Sequence, residues 1–314
     1  MLASANKDHS FAAAATKPAP TTLIGFADYG LDSLSGADRV NRLEWVSHQL
    51  GTKITRLSIR WAPGMTALDP GELQMVNQAD QTMTDQTVLY TLSADQGIDF
   101  PNTSQKQAQF VQWLKSLASH SSANYIEAWN EPMEVTFNDG LDASGHHQTI
   151  QQRAIDYGKL QILSYNTIHS VRPGATVIAG SLVSDISTAS NSNTFMKALI
   201  NFMKGNKQKA ADALSLHYPY SKQNYNHNIN LEQKAYGKLP IWVTEDGSNL
   251  NSPQIQAADT QNKITLARAE GAVAWINLQA QNRPDLTYWH TGAFDKDWNI
   301  LPAGTVIKQM STTN

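Results

Sequence analysis

The stretch Tyr125-Ile126-Glu127-Ala128-Trp129-Asn130-Glu131-Pro132 decides the fold. Its first five residues suit a buried strand. It then ends in an amide, a carboxylate and a proline, and proline stops a strand because it has no N–H for the ladder. Asn130 and Glu131 are therefore placed at the strand's carboxyl lip. The stretch Pro240-Ile241-Trp242-Val243-Thr244-Glu245-Asp246-Gly247 has the same design, running apolar and ending in a carboxylate and a turn residue. Two glutamates at the ends of two strands are what the rest of the chain must account for.

Around these stretches, short apolar runs alternate with longer amphipathic ones. Residues 22–27 (TLIGFA) read as the first strand and 37–50 as the helix after it, with Gly51 at the position of a C-cap glycine. Residues 54–61 (ITRLSIRW) form the second strand, with Leu57 and Ile59 alternating against Arg56, Ser58 and Arg60. A helix near 70–84 follows, capped by Asp69. Residues 87–93 are the third strand. The next helix, capped by Thr103 or Ser104, carries Phe110, Trp113, Leu114 and Leu117 on one face. Beyond the fourth strand, 133–147 is a polar loop and 150–171 a long helix stopped by Pro173 and Gly174. The fifth strand is expected at 176–182 and a helix at 193–203. The sixth strand is 213–218, with a short helix at 232–236. The seventh is 241–244, with a helix at 254–270. The eighth is 271–278, and 305–310 is the closing helix. Strands alternating with helices imply a parallel sheet, and eight such units imply closure into a single α/β (β/α)8 TIM barrel. The barrel spans 22–314, after a disordered segment at 1–21.

The 314 residues are 41% hydrophobic, enough for one large core. A net charge of −3 and a pI near 6.3 give no electrostatic case for nucleic acid or an anionic membrane. The absence of cysteine excludes disulfides, thiolate catalysis and cysteine-ligated metal. No apolar run approaches the roughly 20 residues that span a bilayer. The first segment is rich in Ala, Pro and Thr and lacks the apolar stretch of a signal peptide. It reads as the start of a mature, secreted chain whose signal has been removed. A monomer without a cofactor is expected.

In such barrels the active site lies at the carboxyl rim. The polar residues at the strand ends are Asp28, Arg60, Asn130, Glu131, His217, Tyr218, Glu245 and Asp246, with Trp275 inside the last strand. Two glutamates, an arginine, an amide, a histidine and aromatics suit a neutral polyhydroxylated ligand such as carbohydrate. Phosphate does not fit, since no glycine-rich loop or basic cluster lies near the last two strands. Glycoside hydrolysis needs one carboxylic acid to protonate the leaving oxygen and one carboxylate to attack or to activate water. Their environments must push the two pKa values apart. A glutamate beside Trp129 would stay partly protonated, and one near Arg60 would stay ionised.

Trp129-Asn130-Glu131-Pro132 and Thr244-Glu245 resemble the strand-end motifs of the clan A retaining glycoside hydrolases, the 4/7 superfamily, whose families 5, 39 and 128 carry similar sequences. The resemblance runs from about Thr22 to Met310. It implies Glu131 as acid/base, Glu245 as nucleophile, and Asn130 on the sugar 2-hydroxyl. It implies Arg60 holding the nucleophile ionised, His217 or Tyr218 lining the same subsite, and Trp275 as the platform under the ring. The segment Thr291–Trp298 resembles the one after the last strand in these enzymes. Trp61 and Trp289, with Phe137, Tyr220, Tyr225 and Trp298, are further surfaces on which sugars could stack. The expected activity is endo-acting hydrolysis of a polysaccharide.

Blander readings stand beside these. Arg60 could pair with a surface carboxylate, His217 could be a hydrogen-bonded core histidine, and Trp275 could be pure core. Glu127, inside the fourth strand, reads as a structural polar group. His146 and His147, with Asp139 and Asp142, lack the spacing of a metal site. The alternatives to a polysaccharide hydrolase are an inactive glycan-binding barrel and an exo-acting β-glycosidase on small glycosides. An unrelated barrel enzyme would need histidine–aspartate ligands or a strand-borne lysine.

Overall fold

The computed structural model describes residues 21–31, 33–141, 145–183, 189–219, 221–250, 252–282 and 291–313. All but the last residue of the segment expected to be disordered lies outside these, as do Tyr220 and Trp289. The strands are β1 (Leu23–Tyr29), β2 (Ile54–Trp61), β3 (Thr87–Ala94), β4 (Tyr125–Glu127), β6 (Leu214–His217), β7 (Ile241–Asp246) and β8 (Ala274–Gln279). The fifth strand, β5, comes in two pieces, Thr176–Ile178 and Leu182–Val183. The first piece pairs with β4 and the second with β6, and a bridge from Ile178 to Ala213 joins the two sides. β1 pairs with both β2 and β8, so the chain closes on itself as a parallel barrel. The fold is the single (β/α)8 barrel expected from the alternation of runs.

The helices are α1 (Gly36–Leu50), α2 (Pro70–Thr82), α3 (Ser104–His120), α4 (Ile150–Val171), α5 (Ala189–Asn206), α6 (Lys222–Tyr236), α7 (Pro253–Ala269) and α8 (Pro302–Thr312). Their starts are written in the sequence. Ser35, Thr103, Thr149 and Ser221 each accept a hydrogen bond from a first-turn N–H, and Asp69 forms a full capping box with Glu72. α6 starts ten residues earlier than its sequence suggests. Its apolar stripe among the buried positions is only Tyr225 and Ile229, one turn apart in a run of Asn, Gln and His, so periodicity barely registers.

Strand alternation sorts two cores. Leu57, Ile59 and Trp61 of β2 point outward into the main core between sheet and helices. Ile54 points inward and joins Leu89, Ile178, Ala213, Trp242, Ala274 and Ile276, an apolar plug at the amino end of the barrel. Gly25 lets the strands meet there, because a Cβ on it would fall 1.8 Å from the Ile54 carbonyl oxygen. Above the plug the inward positions turn polar, with Arg56, Thr91, Glu127, Ser215 and Thr244. The floor of the site is thus dry and its walls are charged.

Aromatic rings fill the outer core where α3 meets β2 and β4. Phe110 lies 5.7 Å from Trp61, 5.6 Å from Trp113 and 5.9 Å from Trp129, ring centre to ring centre. Removing it would leave a cavity among three tryptophans that cannot collapse. Phe110→Ala is expected to lower the unfolding free energy by about 3–5 kcal/mol, measured by denaturant titration.

Candidate active site

Four strands deliver the polar cluster at the carboxyl end. Arg56 comes from β2, Glu127 from β4, Ser215 and His217 from β6, and Thr244 and Glu245 from β7. Asn130 and Glu131 follow β4, and Tyr218 follows β6. Two features of the backbone aim them. The first is a β-bulge in β7: Leu216 and His217 pair with Val243 and Glu245, and Val243 and Asp246 pair with Trp275 and Asn277. Simple alternation would send Glu245 outward if Thr244 points inward. The extra residue puts both inside, the re-aiming that bulges provide beside active sites. The second is left-handed backbone at Glu131 (φ 38°) and Tyr218 (φ 47°), a region that costs a non-glycine residue energy.

Arg56 is buried and occupies the centre. Its Nη1 donates to Glu245 Oε1 at 2.6 Å, and its Nε and Nη2 donate to Glu127 Oε2 at 3.0 and 2.9 Å. Nη2 also donates to Asn130 Oδ1 at 2.7 Å. Glu127, fully buried, accepts further bonds from Thr91 (2.7 Å), Ser215 (2.5 Å) and Thr244 (3.0 Å). Burial works against its charge, but Arg56 foremost and then His217 and the hydroxyls hold its carboxyl below the usual range. For Arg56 the same burial is outweighed by Glu127 and Glu245, which raise the guanidinium further. Glu127 is therefore the structural polar group expected of it, and its partner is the arginine that also serves Glu245.

Glu245 accepts its second donor from the Tyr218 hydroxyl at 3.0 Å. His217 stands between the two glutamates, with Nδ1 2.7 Å from Glu131 Oε1 and 3.5 Å from Glu245 Oε2. Its Nε2 lies 3.1 Å from Thr244 Oγ1. Thr244 is also in contact with Ser215, and both hydroxyls reach Glu127, so His217 Nε2 joins a chain of hydroxyls that ends on that carboxylate. A proton is shared across the Nδ1···Glu131 contact. Burial opposes the imidazolium, yet Glu245 and the bond to Glu131 raise His217 above its ordinary value. Burial pushes the Glu131 carboxyl up as well, against the bond from His217 and with help from the charge of Glu245. Together these place a proton where an acid catalyst would need one. Oxygens of Glu131 and Glu245 and a nitrogen of His217 lie within 4.8 Å of one another, a donor set that could hold a divalent cation. The Arg56 guanidinium against Glu245 would repel one.

The structure brings Glu131, Glu245, Asn130, His217 and Tyr218 together. It places six other expected residues elsewhere. Arg60 is at the rim, half-exposed, 3.7 Å from Asp95, and Arg56 takes the position against Glu245 that Arg60 was expected to fill. Both arginines share a strand face, and only depth along it separates them. Asp28 is buried and engaged by Arg39 at 3.0 Å and by the Ser58 N–H and hydroxyl at 3.0 and 2.8 Å, so it ties β1 to β2 and α1. Trp275 is fully buried on the outer face of β8, donating to Asp246 Oδ2 at 2.9 Å, and is core rather than a sugar platform. Trp61 is also fully buried, its indole N–H on the Met65 carbonyl. Tyr225 is buried too, and Trp298 carries Arg42 stacked 4.3 Å from its ring centre. Trp289 lies outside the described residues. Arg56 and Thr244 were open to strand alternation; the bulge that adds Glu245 leaves no such trace.

The family described as "Glycosyl hydrolase catalytic core" matches residues 81–281, well over half of the chain. Among solved structures, the β-glycosidase BGL167 is 13% identical, with a TM-score of 0.67 over 94% of this chain and 97% of that one. A GH5_18 protein from Bifidobacterium longum subsp. infantis is 13% identical, with a TM-score of 0.66 over 93% of this chain and 79% of its own. The family 1 β-glucosidase from Thermotoga maritima is 12% identical, with a TM-score of 0.65 over 88% of each chain. At such identities the likeness is one of fold. No curated protein sequence matches the chain.

Arg56→Met would strand the buried Glu127 carboxylate and is expected to cost about 3–5 kcal/mol of stability. Arg60→Ala, at the rim, should stay within about 0.5 kcal/mol of the parent. Chemical denaturation of the two variants side by side reads the contrast.

Proposed function

The chain belongs to the glycosyl hydrolase catalytic core family, and from that premise we propose that it hydrolyses β-glycosidic bonds with retention, by double displacement. The clan A resemblance read from the strand-end motifs is borne out by that family match and the shared barrel. The observation that carries the mechanism is the separation of the two carboxylates. A Glu131 oxygen and a Glu245 oxygen lie within 4.8 Å of each other. Nearest oxygens this close support the short carboxyl–carboxyl separation of retaining enzymes, about 5–5.5 Å, over the roughly 6.5–9.5 Å with which inverting ones make room for a water.

In the first step a Glu245 oxygen attacks the anomeric carbon. The bond to the leaving oxygen breaks as Glu131 protonates it, and a glycosyl ester on Glu245 results. In the second step Glu131 takes a proton from water, the water oxygen bonds to the anomeric carbon, and Glu245 leaves as the carboxylate. The environments suit these roles. Glu245 accepts from Arg56 and Tyr218, and Glu131 is buried beside His217. Esterification removes the Glu245 charge that helps raise Glu131, which favours its change from acid to base. Asn130, fixed by Arg56, is placed to bond the sugar 2-hydroxyl.

We read the substrate as a β-linked polysaccharide cut internally. A polar groove of about 290 Å³, lined among others by Ser58, Arg60, Asp69, Glu72 and Asp95 and sharing no residue with the catalytic cluster, is the place we assign to a further sugar unit. The exo-acting reading on small glycosides remains the second choice, and the binding-only reading is disfavoured because both glutamates and Asn130 are in place.

A panel of β-glucans, mannan, xylan and galactan, assayed for new reducing ends with the product anomer followed by NMR, tests the proposal. Net retention supports it, and inversion refutes it. Glu245→Gln should abolish turnover. Glu131→Ala should be slow except with activated aryl leaving groups, and azide should restore it to give a β-glycosyl azide.

The pH profile supplies a second test. Because the folded state raises Glu131, kcat/KM on poor leaving groups should fall as pH rises through that elevated value. The fall should vanish for a 2,4-dinitrophenyl glycoside, whose departure needs no acid. A basic limb of equal size with both leaving groups would remove Glu131 from the acid role.

A further inference from the structure

Just past Glu245, on the outward face of β7, lies a buried ion pair that the two-step reaction does not use. Asp246 is fully buried. Its Oδ1 accepts from Lys263 Nζ of α7 at 2.7 Å and from the Gly247 N–H at 2.8 Å, and its Oδ2 accepts from Trp275 Nε1 of β8 at 2.9 Å. Lys263 is only 7% exposed and also donates to the Gly247 carbonyl at 2.6 Å. Gly247 is wedged in turn: a Cβ there would fall 2.7 Å from Thr291 Cβ and 2.9 Å from Asn277 Oδ1.

Stability does not explain this arrangement. Desolvating a carboxylate and an ammonium costs several kcal/mol each, and apolar residues of similar size are often as good or better at such positions. The pair does coincide with the end of the bulge. Three steps along β7, from Val243 to Asp246, are set against two along β8, from Trp275 to Asn277. Thr244 is held inward by Glu127 and Ser215. If β7 relaxed to regular alternation, Glu245 would turn outward into the space now filled by Asp246, Lys263 and Trp275. A charged residue locked into that space from two other elements blocks the relaxation.

We propose that Asp246, clamped by Lys263 and Trp275, is a positioning residue that pins the outer end of the bulge and so keeps Glu245 inward against Arg56 and Tyr218. This inference rests on the reading of Glu245 as the nucleophile.

The test compares Asp246→Asn with the double variant Asp246→Asn/Lys263→Met, which leaves neither partner's charge uncompensated. Activity is read with the 2,4-dinitrophenyl β-glucoside, mannoside, galactoside or xyloside that the parent cleaves fastest, under conditions where glycosylation limits the rate. The expected result is a fall in kcat of about tenfold to a hundredfold, the scale of an ångström of misplacement at a reacting group, with little change in KM. A crystal structure of the double variant should show Glu245 withdrawn from Arg56, to which it is now bonded at 2.6 Å. Parental kcat in the folded double variant, or an unchanged Glu245–Arg56 contact, would overturn the proposal. Glu245→Gln separates the two layers of inference. An active Glu245→Gln refutes the nucleophile itself, whereas an inactive one beside a fully active double variant refutes only the clamp.

Discussion

A guanidinium with almost no access to water governs the interior of this barrel. Arg56 cannot shed its proton, and an unpaired charge in that position would cost several kcal/mol. Every acceptor around it is therefore obligatory. Glu127 supplies one from β4, Asn130 another from the turn after it, and Glu245 a third from β7. The Arg56 fork ties three separated strands together across the barrel. It also explains why Glu127 must be ionised, why Asn130 presents its carbonyl oxygen inward, and why Glu245 lies where it does. Below it the apolar plug of Ile54, Leu89, Trp242 and Ile276 excludes water from the other end.

The second organising element is a shared proton. His217 Nε2 faces the Thr244 hydroxyl, itself within reach of Glu127, and its Nδ1 faces Glu131. Its Nδ1 and Glu131 therefore hold one proton between them, and Glu245 biases where it sits. Glu131 and His217 therefore take up and release that proton as a pair. Buried hydroxyls at Thr91, Ser215 and Thr244 make this possible by satisfying Glu127 without adding charge.

The barrel was legible because its units are local: caps at Asp69 and Thr103, and strands that end in proline or a carboxylate. The two glutamates were legible for the same reason, each closing an apolar run. What failed to read was depth and parity. Arg56 and Arg60 share a face of β2, and a rim position looks more functional than one sunk into the barrel. Trp61 shares its parity with Leu57 and Ile59, and Trp275 lies between the inward Ala274 and Ile276. Alternation alone would have put both on the helix side, against the sugar-facing roles expected of them. The bulge is different in kind. Nothing in Thr-Glu-Asp announces that two consecutive side chains point the same way, because the extra residue is defined only against the neighbouring strands. Asp28 was misplaced because its partner, Arg39, lies on a helix whose approach no local pattern specifies.

The left-handed backbone at Glu131 and Tyr218 sets the interests of folding and of turnover against each other. Both residues hold a conformation that glycine or asparagine would adopt more readily, so the native state is less stable than the same barrel with an undemanding sequence at those two turns. Replacing them with such residues would relax the backbone and remove the carboxyl beside His217 and the phenol bonded to Glu245. The two turns thus give up conformational ease for the groups they present to the polar centre of the barrel.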